Sequence, residues 1–88
     1  MAERSVQIVN KQGMHARPAA EMVKTASRFG SDITISRDDL EVNGKSIMGV
    51  MMLAAEFGAT ITIRAEGADA DAALDALATL VANGFGES

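Results

Sequence analysis

The chain has 88 residues, a net charge of −4, 48% hydrophobic residues, three aromatic rings (Phe29, Phe57 and Phe85) and no cysteine. That length holds one domain, 1–88, with a small core, and an acidic chain with so few stacking rings argues against a nucleic-acid binder. The missing thiolates exclude disulfides and fit a reducing cytoplasm, a single histidine makes a zinc site improbable on ligand count, and no apolar run approaches the roughly 20 residues of a membrane span.

Residues 5–9 alternate apolar and polar side chains, the period of a half-buried strand. Asn10, Lys11, Gln12 and Gly13 are turn-forming types, and a helix is expected from Ala16 to Ser27. At 100° per residue Ala19, Ala20, Met22, Val23 and Ala26 share a broad apolar face, with Arg17, Glu21, Lys24 and Arg28 in a stripe opposite. Gly30 suits the helix end. Residues 32–36 alternate and are β-branched, and residues 40–42 alternate again after a short polar turn, predicting a hairpin. A short helix is expected from Ser46 to Leu53 or Ala55, with Ser46 as N-cap. It is apolar nearly all round, so it is either buried on two sides or presents an apolar patch. Gly49 inside it costs about 1 kcal/mol relative to alanine, offset only if close packing requires it. Residues 56–59 form a turn and residues 60–65 the clearest strand. Asp69 is placed to cap a last helix whose Ala73, Leu74, Leu77, Leu80 and Val81 share a face, and Asn83-Gly84 ends it. The tail 85–88 is expected to be loose apart from Phe85 and is assigned no role. The order βαββαβα implies an α+β fold, with one sheet covered by helices on one face and wet on the other.

The stretch Gly13-Met14-His15-Ala16-Arg17-Pro18-Ala19-Ala20 contains the only histidine and the only proline. Gly13 permits a turn closed to other residues, and Pro18 suits the first helical turn while discouraging helix before it. His15 is thereby placed at the mouth of a helix, whose first amides and positive dipole end attract anions. Arg17 adds a forked cationic donor suited to phosphoryl oxygens, and a histidine nitrogen is a nucleophile near neutral pH. The residues alone leave two readings open: a solvated loop histidine beside an ordinary arginine, or a site that forms and holds a phosphohistidine. Charge is unevenly placed. Residues 1–45 hold seven Lys and Arg against six Asp and Glu, and residues 46–88 hold one, Arg64, against six. The half with the histidine therefore suits acidic partners.

That stretch closely resembles the active-site motif of the HPr family, the histidine-containing phosphocarriers of the bacterial phosphoenolpyruvate-dependent sugar phosphotransferase system. Lys45-Ser46-Ile47-Met48-Gly49-Val50-Met51-Met52-Leu53 resembles the family's regulatory-serine segment, and length and element order also match. The resemblance implies an HPr-like open-faced β-sandwich, with a four-stranded antiparallel sheet and three helices on one face. It implies a cytoplasmic, monomeric carrier that is not a turnover enzyme. Enzyme I would phosphorylate His15 on Nδ1 (pros-phosphohistidine), and His15 would pass the group to enzyme IIA domains. The Ala16 and Arg17 amides and the Arg17 side chain would hold the phosphoryl oxygens, and Pro18 would fix the helix start. Ser46 would be a target of HPr kinase/phosphorylase, although the residues alone favour a simple cap. Lys24, Lys45, Ile47, Met48 and Met51 would form the docking surface, with Met52 assigned to neither core nor patch. No metal, cofactor, nucleic acid or membrane insertion is expected. The competing readings are a carrier of a regulatory phosphotransferase branch, nitrogen-related or lacking permeases, and a non-covalent anion-binding module.

Overall fold

The computed structural model describes residues 2–86. Four strands, β1 (Ala2–Gln7), β2 (Asp32–Arg37), β3 (Leu40–Asn43) and β4 (Thr60–Glu66), form one antiparallel sheet in the order β1-β4-β2-β3. Three helices, α1 (Ala16–Ala26), α2 (Ile47–Met52) and α3 (Ala70–Ala82), complete the expected order, followed by a single 3-10 turn, Gly84–Gly86.

The alternation within each strand divides the sheet into a dry and a wet face. Ile33 and Ile35 of β2 and Ile61, Ile63 and Ala65 of β4 are buried together with Met22 and Ala26 of α1, Val50 of α2, and Leu74, Leu77 and Val81 of α3. The other face is polar. The Ser5 and Thr62 hydroxyls share a hydrogen bond of 3.0 Å, and the Arg64 guanidinium lies between Glu3 (3.5 Å) and Glu41 (3.8 Å). The pleat alone assigns these roles, because successive residues of a strand point to opposite faces.

Several boundaries differ from the sequence expectation, each for a local reason. β1 begins at Ala2 and ends at Gln7 instead of spanning 5–9, because it pairs with β4 along its length, from Ala2 opposite Ala65 to Gln7 opposite Thr60. Backbone pairing does not require apolar side chains, so Glu3 and Arg4 belong to the strand; Arg4 lies on the helix side and reaches Asp75 of α3 at 2.8 Å. Ile8 lies past the strand end yet is fully buried, and its amide still donates to Ala59 O at 2.8 Å. Ala20 is exposed, since it sits about 125° from the centre of the face formed by Ala19, Met22 and Ala26 at helical spacing. α1 ends on Ser27, not Gly30. Asp69 occupies the N-cap position of α3 but makes no capping bond. Its carboxylate turns instead to the α1–β2 loop, accepting from the Gly30 amide (2.9 Å), the Ser31 amide (3.0 Å) and the Ser31 hydroxyl. Phe85 is buried and packs with the core, while residues 87 and 88 lie outside the described residues.

Candidate functional site

The His15 loop is built from its backbone upward. Asn10, nearly fully buried, folds the loop on itself: its carbonyl accepts from the Gly13 amide at 3.1 Å, and its Nδ2 donates to Gly13 O at 2.8 Å. Gly13 has φ +70, and a Cβ there would lie 2.6 Å from Ala55 O and 2.9 Å from Glu56 Cα. Glycine is required at this position both for its conformation and for the close approach of the two segments. The Met14 amide then donates to Ala55 O at 2.7 Å, and the Met14 side chain is buried.

His15 follows as the N-cap residue of α1, extended at φ −91 and ψ −168, and half-buried. Its carbonyl accepts from the Ala19 amide at 3.0 Å, so the first helical turn closes directly on the residue that carries the imidazole. Pro18 lies buried in that turn, where its missing N–H costs no helical bond, while Ala16 and Arg17 are exposed. The sequence therefore brings a histidine, the amides of residues 16 and 17 and a guanidinium to one exposed helix start, an arrangement suited to a dianion.

Beside it lies the apolar surface of α2. Ser46 is the N-cap, its hydroxyl accepting from the Gly49 amide at 3.1 Å. Val50 faces the core, whereas Ile47, Met48, Met51 and Met52 are 45%, 77%, 42% and 64% exposed. Met52 thus joins the surface group. α1 packs directly on α2, so Lys24 of α1 and the apolar residues of α2 belong to neighbouring elements. Lys24 is exposed, whereas Lys45 is half-buried with its ammonium on the Phe29 carbonyl at 2.8 Å, tying the start of α2 to the α1–β2 loop. The glycine at 49 has a packing reason: a Cβ there would lie 3.2 Å from Val42 Cβ and 3.3 Å from Ser46 Oγ.

Three features of the site were not foreseen in the sequence. Asn10 reads there as one more turn former, although its spacing to Gly13 is what closes the loop. Phe57 is 61% exposed, on a turn whose Gly58 amide donates to Ile8 O at 2.8 Å. Arg37 reads as a polar turn residue, yet it binds the segment after α2 (below), and no local signal links positions so far apart. A surface cavity of about 400 Å³ is lined by β2, β3 and Lys45 and includes no residue of the His15 loop. Among the described residues there is no cluster of acidic or histidine side chains that could hold a metal ion, and no helix is long and apolar enough to cross a membrane.

Comparison with known proteins gives one consistent result. Residues 2–83 match the family model described as the PTS HPr component phosphorylation site. The phosphocarrier protein HPr of Cupriavidus necator is 48% identical over 87 residues, covering 99% of this chain and 98% of that protein. The crystal structure of HPr-C-His from Thermoanaerobacter tengcongensis superposes with a TM-score of 0.96 at 46% identity, covering 100% of this chain and 99% of that one. The Bacillus subtilis catabolite repression protein Crh, described as a domain-swapped dimer, gives 0.77 at 43% identity, covering 96% and 97% of the two chains.

Proposed function

The chain belongs to the HPr family, and from that premise we propose that it is a phosphoryl carrier whose acceptor is His15. Nδ1 of the imidazole forms a bond to the phosphorus of phospho-enzyme I as the donor's own bond to phosphorus breaks. The reverse exchange hands the group to an enzyme IIA domain of the sugar phosphotransferase system. The amides of Ala16 and Arg17 and the Arg17 guanidinium hold the phosphoryl oxygens, with Pro18 setting the helix start. The observation that carries this reading is the placement of His15 as the N-cap of α1 with Arg17 exposed two residues on.

A carrier must release what it accepts, so its site should neither bury nor over-stabilise the phosphoryl group. A half-buried imidazole on an exposed helix end meets that requirement. Partners dock on Lys24, Ile47, Met48 and Met51, with Lys45 at the margin; methionine side chains adapt to more than one partner surface. As the family resemblance implies, the acting unit is a single cytoplasmic chain. It is no independent enzyme, because turnover belongs to the proteins on either side. Ser46 is the regulatory target of an HPr kinase/phosphorylase. A phosphate there sits at a helix start, where the fold tolerates it, but it repels an acidic partner.

The test is transfer from phosphoenolpyruvate through purified enzyme I, read by intact mass and acid lability. The wild type should gain one acid-labile phosphate and His15→Ala none. An unlabelled wild type, with enzyme I active on another carrier, would overturn the reading in favour of non-covalent anion binding.

A further inference from the structure

The His15 loop rests on a shelf held from elsewhere in the fold. That shelf is the segment 53–56 between α2 and β4, and the residue that grips it is Arg37, at the end of β2. Its Nη1 donates to Ala54 O at 2.8 Å and to Leu53 O at 3.3 Å, and its Nη2 donates to both carboxylate oxygens of Glu56, one of them at 3.0 Å. One side chain thereby binds residues on both sides of Ala55, the residue whose carbonyl receives the Met14 amide.

We propose that Arg37 is a positioning residue for phosphoryl transfer at His15: it fixes the shelf on which Gly13 and Met14 rest, and through them the placement of the imidazole. The inference rests on His15 being the acceptor. Four observations carry it. The Arg37 side chain is held close against the fold, only 25% exposed, although its partner Glu56 is 63% exposed. Ala54 has φ +48, a conformation that a residue with a Cβ holds only when its surroundings impose it. α2 has no basic residue in its own last turn, and Arg37 supplies a cation at that carboxyl end from another element. Finally, the shelf and the loop leave no slack: a Cβ at Gly13 would already lie 2.6 Å from Ala55 O. A shift of the shelf is therefore passed to Gly13, whose carbonyl accepts the His15 amide at 3.0 Å.

Group transfer is sensitive to small displacements of the nucleophile, so the effect should fall on the chemical step and leave docking intact. In transfer from enzyme I, Arg37→Gln is expected to lower kcat about tenfold with KM for the carrier unchanged. Hydrogen exchange at the Met14 amide should accelerate. Arg37→Lys, which can still reach Ala54 O, should recover part of both. Glu56→Gln, which keeps the carbonyl bonds, should give a smaller change of the same sign. Wild-type kcat in Arg37→Gln overturns the proposal, as does a defect confined to KM, or a lysine variant no better than glutamine. If Arg37→Gln does not fold, Arg37→Lys and Glu56→Gln decide: unchanged kcat and Met14 exchange in both overturn it. Absence of label on the wild type removes the carrier reading and this inference with it. Label on the wild type with no response to the variants removes this inference alone.

Discussion

Ser46 caps α2 with the same oxygen that the proposed regulatory phosphorylation would modify. Its Oγ accepts from the Gly49 amide, and the six-residue α2 has no acidic side chain in its first turn to supplement that cap. Ser46→Ala should therefore cost about 1 kcal/mol, read as a lower urea midpoint with unchanged slope, and Ser46→Asp should cost less because a carboxylate caps equally well. Only the aspartate variant should also slow transfer, if an acidic partner docks here. The cap was legible in the sequence because serine before an apolar run is a local signal. The position of His15 at the start of α1 was legible because it stands between a glycine and a proline. Asn10 and Arg37 were not, since their roles depend on backbone groups brought near only by the finished fold.

At the scale of elements, the sequence pattern identifies every strand and helix, and it misplaces what partner elements decide. β4 and α3 carry their burial in their own periodicity. The start of β1 comes from its pairing with β4, and the Asp69 carboxylate, expected to cap α3, goes instead to the loop after α1. The Ser31 hydroxyl first, then the Gly30 amide, hold the Asp69 carboxyl below the ordinary value of 3.8. A depressed carboxyl contributes stability that is whole above its unfolded value and disappears as pH falls through the folded one. The stability difference between wild type and Asp69→Asn should accordingly be constant from neutral pH to about pH 4 and shrink on further acidification. Urea unfolding at a series of pH values measures it, and a difference that persists unchanged well below that range would show the carboxylate to be unimportant.

For the whole molecule, charge and chemistry are sorted together. Arg17, Lys24 and Arg28 are exposed on or just beyond α1, while Asp71 and Asp75 are exposed on α3. On the carrier reading, an acidic partner would be steered to the α1 side of the molecule. The apparent second-order rate of transfer should fall several-fold as ionic strength rises from about 0.05 to about 0.5 M, with kcat little changed. A rate indifferent to salt would assign docking to the apolar residues of α2 alone.

The strand order β1-β4-β2-β3 has a consequence for the life of the chain before it works at all. The strand that joins β1 to the rest of the sheet is the last one made, and the shelf under Gly13 lies just ahead of it in sequence. Neither can form from early residues, because long-range pairing must wait for its partner. A chain emerging at roughly 5–20 residues per second thus carries His15 on an unsupported loop until residues 53–66 are in place. On the carrier reading, an unfinished copy would therefore offer a partner no properly presented imidazole.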